Sequence, residues 1–226
     1  MKKQLFLGMV LAGALVTTAS ASLYSNYTYT GTLANTIIAD GNPVGMANTV
    51  NVSNMRGVLT DITVTLDVSS STGNPVSDLY AYLSYNGQVV VLLNRIGVTS
   101  GTPFGNTGSG LTVTLSDTGA NNIHGLTGSP TGSYQVDNNQ AVAPFAPAGS
   151  FTGTSGGSLD TTFAGNPNGN WTLFFADVVN GGGNTTLNSW SLDISAVPEP
   201  VTLALGMFVA MLLALAGVRW AWAGKN

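Results

Sequence analysis

Residues 61–68 read DITVTLDV. Ile62, Val64, Leu66 and Val68 fall on one side, and Thr63, Thr65 and Asp67 on the other. That period-two alternation is the mark of a half-buried strand. DLYAYLSY, residues 78–85, sets Leu79, Ala81 and Leu83 against Tyr80, Tyr82 and Ser84 in the same way. Asn86-Gly87 and the apolar run QVVVLLN follow it. Two such runs joined by Asn-Gly predict a hairpin, because a type I′ turn needs positive φ at both central residues. LTVTLSD at 111–117 reads as another strand. WTLFFADV and LNSWSLDIS form a late pair of strands around a glycine-rich loop from Asn180 to Asn184. Trp171, Leu173 and Phe175 share one face of the first, and Trp190, Leu192 and Ile194 one face of the second. No stretch of 22–196 carries convincing helical periodicity. Many short strands without intervening helices predict an all-β fold, a jelly-roll-like β-sandwich. The Gly-, Pro- and Asn-rich stretch 119–157 reads as a long surface loop with one short strand near Tyr134.

Charge narrows the function classes. Charged residues are 7% of the chain, against the usual quarter. The apolar fraction of 44% is nonetheless too high for a disordered chain. Between residues 22 and 197 stand two cations, Arg56 and Arg95. They face Asp40, Asp61, Asp67, Asp78, Asp117, Asp137, Asp160, Asp177 and Asp193, a balance of −7. Such a surface repels phosphate backbones and excludes nucleic acid as a partner. With no cysteine there is no disulfide, thiolate metal site or cysteine nucleophile.

Both ends read as addresses. Lys2 and Lys3 precede a short apolar run, Leu5 to Val16, and Ala19-Ser20-Ala21 forms an A-x-A site. That pattern is a secretory signal peptide over 1–21, with a mature start at Ser22. At the other end Val201 to Val218 is an uncharged apolar run, long enough for one transmembrane helix. Arg219 and Lys225 would stay on the cytoplasmic side. Trp220 and Trp222 suit the membrane interface, and Pro198 and Pro200 set a sharp helix start.

Two resemblances rest on these residues. Val197-Pro198-Glu199-Pro200, the apolar span and the short basic tail, residues 197–226, resemble the PEP-CTERM sorting signal of Gram-negative bacteria. That family ends in a tight Arg cluster, whereas WAWAG separates Arg219 from Lys225 here. The resemblance implies an exosortase as processing partner, a precursor held at the inner membrane, and delivery to the cell surface or extracellular matrix. Residues 165–194 carry Asn168, Gly169, Trp171, Leu173, Asp177, Leu187, Trp190, Leu192 and Ile194 in the pattern of the proprotein-convertase P domain (P/Homo B). Ser77-Asp78-Leu79 resembles the opening of its earlier hairpin. This implies a jelly-roll sandwich over 22–196. In convertases the domain accompanies a subtilisin-type protease, which this chain does not carry.

Few residues offer chemistry. His124 is the single histidine, with Ser116 and Asp117 near it in sequence. A triad also needs an oriented base and an oxyanion hole, and no Gly-x-Ser-x-Gly elbow surrounds any serine. Paired aspartates could serve a glycosidase, yet most stand at strand ends and turns, where Asp bonds backbone N–H groups. Oxygen-rich loops also suit calcium, and Asp78, Asp117, Asp160 and Asp177 are its candidate ligands. Tyr80, Tyr82 and Tyr85 could stack on sugars, although packing inside the fold is the plainer fate. The expectation is therefore a non-enzymatic exported protein without an obligatory cofactor and with a structural or adhesive role. The alternatives are an exopolysaccharide-binding module, calcium-dependent or not, and last a hydrolase.

Overall fold

The computed structural model describes residues 25–70, 75–141, 154–198 and 200–223. Within them the strands are β1 (Ser25–Ile38), β2 (Asn42–Val52), β3 (Val58–Ser70), β4 (Leu79–Tyr85), β5 (Gln88–Asn94), β6 (Gly110–Leu115), β7 (Thr131–Tyr134), β8 (Thr154–Ser155), β9 (Gly169–Asp177) and β10 (Thr185–Val197). A one-turn helix, α1 (Leu159–Thr162), precedes β9, and α2 (Pro200–Ala223) follows β10. Two 3-10 turns, Pro75–Asp78 and Ile123–Gly125, complete the described elements.

The strands build two sheets, ordered β1-β10-β3-β6-β7 and β2-β9-β4-β5-β8. Eight of them are nested antiparallel pairs: β1 with β10, β2 with β9, β3 with β6, and β4 with β5. β7 and β8 extend one edge of each sheet by parallel pairing. The predicted strands 61–68, 78–85, 88–94, 111–117, 171–178 and 187–195 all lie in this frame. The late pair is not a hairpin, however. β9 and β10 belong to opposite sheets, and the glycine-rich loop carries the chain from one to the other.

Alternation explains which faces meet. Ile62, Val64, Leu66 and Val68 are buried in one core with Trp171, Leu173, Phe175, Trp190, Leu192 and Ile194. Leu187 breaks the parity of β10 yet is also fully buried. The register shifts between Leu187 and Ser189, and such a bulge turns the next side chains over. Asn86 and Gly87 both have positive φ, 48° and 75°, as the hairpin requires. β4 is covered on both faces, and Tyr80 and Tyr82 pack inside the fold as expected. Tyr80 and Tyr82 form a second buried cluster with Val89, Val91 and Phe174 on the other face of the sheet. Gln140 bonds both backbone groups of Val91 there. Part of the 119–157 stretch is thus fold rather than surface loop, with Ile123, Val136 and Asp137 buried.

α2 is 24 residues long. Its described side chains, 205–216, are exposed. Among the described residues no helix is long and apolar enough to cross a membrane. The leader residues Ala19, Ala21 and Ser22, together with Glu199 and Lys225, lie outside the described residues, as do the side chains of Arg219, Trp220 and Trp222.

Candidate functional site

The chain leaves the sandwich at the end of β10, in the middle of a sheet. Ala196 pairs with Ser25 of β1 and with Leu59 of β3, and Val197 pairs with Val58. Val197, the first residue of the Val-Pro-Glu-Pro motif, is therefore still a strand residue. Gly57 stands against it with φ 99°, and a Cβ there would collide with the Val197 carbonyl. Only glycine takes that conformation and that approach readily. Pro198 lines a cleft of about 360 Å³ with Met55, Gly57, Val58, Gly165, Asn166 and Asn168. α2 begins at Pro200.

The rim of this junction is built by the Asn-Gly-x-Trp stretch. Asn168 accepts from the Met55 N–H at 2.9 Å and donates to the Met55 carbonyl at 2.9 Å, which clamps the segment before Gly57. Gly169, with φ 146°, lets the Tyr85 ring lie close by. Tyr85 stacks on Trp171 at 4.1 Å and donates to the carbonyls of Asn166 and Asn168. The Trp171 indole donates to the Pro167 carbonyl at 2.9 Å. Each polar group of this buried aromatic set has a partner, as burial demands.

The four candidate calcium ligands fall into two pairs. Asp117 accepts from Ser158 Oγ at 2.7 Å and from the N–H groups of Leu159 and Asp160 at 2.9 Å, so it caps α1. Asp160 accepts from the Ile62 N–H at 2.8 Å. Burial pushes Asp160 up to about 6; the Ile62 bond opposes the rise and the Asp117 and Asp61 carboxylates add to it. At the other end of the sandwich Asp177 is fully buried and accepts from the N–H groups of Gly41 and Val179. Burial pushes it too up to about 6, with Asp78 and Asp40 nearby. Asp78 accepts from Ser77 Oγ, and its carboxyl is raised by burial. Among the described residues no group of three or more acidic or histidine side chains is placed to hold a metal.

His124 does not meet Ser116 or Asp117 as a triad. Its Nδ1 lies 3.0 Å from the buried Asp137 carboxylate, and its Nε2 lies 3.0 Å from the Val98 carbonyl. The ring is thereby held between the Asp137 carboxylate and a backbone carbonyl of the β5–β6 connection. Asp137 also accepts the N–H groups of Asn94 and Asn139. The set ties residues 122–139 to the end of β5. The sequence reading named neither Asp137 nor Asn48 as a site residue. Asn48 on β2 accepts from the Trp190 indole at 3.0 Å and from Tyr29 at 3.2 Å, which links the two sheets. A second cleft of about 380 Å³, lined by Asp117, Asn122, Gln135, Asp137 and Ser158 among others, carries no aromatic side chain.

No family model matches the sequence, and no curated protein matches it. Among solved structures, the serine protease of Aeromonas sobria in complex with the chaperone ORF2 aligns at 16% identity and TM-score 0.37, over 78% of this chain and 26% of that one. The same protease without the chaperone aligns at 14% identity and TM-score 0.35, over 76% and 26%. The chain spans about a quarter of the length of these proteins, and its likeness is to a part of the protease.

Proposed function

We propose that this chain is an exported, non-enzymatic protein of the bacterial surface or extracellular matrix, sorted by an exosortase through its C-terminal segment. The observation that carries the reading is the junction. Val-Pro-Glu-Pro runs from the last residue of β10 to the first residue of the 24-residue helix α2. The uncharged run in the sequence extends from Val201 to Val218. About eighteen such residues reach the length a bilayer core needs. α2 then holds the precursor in the inner membrane until processing.

The domain is, in this proposal, a P-domain-like jelly roll. The nested pairing of first strand with last, and so on inward, supports it. So does the packing of the motif residues Asn168, Gly169, Trp171 and Trp190. A structural or adhesive role accords with His124 and the four aspartates, whose described partners all serve the fold.

Intact mass of the native protein from membrane and extracellular fractions tests the reading. A species from Ser22 to a residue within Pro198 to Pro200, found outside the inner membrane, is the expected result. A species that keeps Val201 to Asn226 and stays in the inner membrane would overturn it.

A further inference from the structure

We infer that the folded domain occludes its own processing site, so that cutting at the motif waits for the end of β10 to leave the sheet. This rests on the proposal that the motif is processed at all. An enzyme that cuts a peptide binds the residues before the cut as an extended strand, using their backbone groups. Its nucleophile adds to a carbonyl carbon, the C–N bond breaks, and the downstream segment leaves as an amine that takes up a proton. The upstream acyl group then passes to water or to an acceptor amine. Here the residues before the motif are already spoken for. Ala196 is paired on both sides, by Ser25 and Leu59. Val197 is paired with Val58, and its carbonyl lies against Gly57. Pro198 is half-buried in the rim cleft.

No linker relieves this. Three Cα steps separate Val197 from Pro200, the first residue of α2, and cover at most about 11 Å. An enzyme working at the foot of α2 cannot draw an extended upstream segment from so short a piece. The sheet itself marks where release can stop. The register shifts between Ser195 and Ala196, and Thr60 Oγ1 donates to the Ser195 carbonyl at 3.2 Å. Beyond that point only Ala196 and Val197 remain in the ladder. Gly57, Leu59 and the clamp between Asn168 and Met55 thus act on processing through the strand, as positioning residues.

The test is a pulse-chase of the full chain in its native host, following loss of the C-terminal segment by mass. The chain has no cysteine, so Leu59→Cys with Ala196→Cys, partners in register, can lock the strand end by one disulfide. The locked precursor should stay uncut, and a reductant should restore cutting to the wild-type rate. A Gly-Ser insertion of six or so residues between Ala196 and Val197 keeps the motif whole, frees it from the rim and should speed cutting several-fold. Locked chains cut as fast as wild type, or an insertion that leaves the rate unchanged or lower, would overturn the inference while the sorting reading stands. A wild-type chain never cut would sink the sorting reading, and the inference with it.

Discussion

Asn48 shows how much one side chain can carry here. Its Oδ1 serves both the Trp190 indole, at a residue 1% exposed, and the Tyr29 hydroxyl. Asn48→Ala leaves a buried N–H without an acceptor and should cost about 1–3 kcal/mol, read by urea unfolding. The buried aspartates make a different prediction. Asp160 and Asp177 sit near 6 in the fold, above the usual carboxylate range. The folded chain therefore holds protons that the unfolded chain releases, and the stability they give is full below the unfolded pKa and lost as pH rises through about 6. Calorimetry should find Tm higher at pH 5 than at pH 7. Asp160→Asn with Asp177→Asn, neutral at every pH, should flatten that slope. None of these pairings was legible in sequence. His124 stands seven residues from Asp117 but bonds Asp137, and Asn48 meets a tryptophan 142 positions away. Such contacts exist only once the sheets are stacked.

At the scale of elements, legibility follows the strength of the apolar alternation. β3, β4, β5, β6, β9 and β10 alternate or run apolar and were readable. β1 and β2 are edge strands. Their exposed residues include Asn26, Thr28, Thr30, Thr49 and Asn51, and their place is set by backbone pairing with distant partners, Ser25 with Ala196 and Val52 with Gly169. A window of ten residues cannot contain that information. The β4–β5 turn is the opposite case, fully local. Gly87 has φ 75°, and a Cβ there would meet nothing within 4 Å. Any cost of Gly87→Ala is therefore conformational, about 1–2 kcal/mol from the left-handed backbone alone. Thermal unfolding should show that loss, and Gly87→Asn should show less of it, since Asn tolerates this region better.

For the whole molecule, the nested pairing brings both ends of the folded chain to one end of the sandwich. Ser25 pairs with Ala196, and Val197 leads at once towards α2. Phe104, 86% exposed, lies on the loop that leaves the other end of the sheet, between β5 and β6. If, as proposed, α2 lies in the bilayer, the end of the sandwich where Val197 leaves the sheet is the end that the chain joins to the membrane. The arrangement depends on the span being apolar throughout. A charge in its middle is costly, about 2.5–3.5 kcal/mol on the insertion scale for Lys at a helix centre. Leu212→Lys should therefore shift the precursor from the carbonate-resistant membrane fraction to the soluble one. The β-domain, which α2 follows in sequence after Pro198-Glu199, should keep its melting temperature. Val209→Leu, apolar for apolar, should leave the distribution as it was. If Leu212→Lys stays in the membrane fraction as fully as wild type, α2 is held there by something other than its own hydrophobic length, and a partner helix would have to be sought.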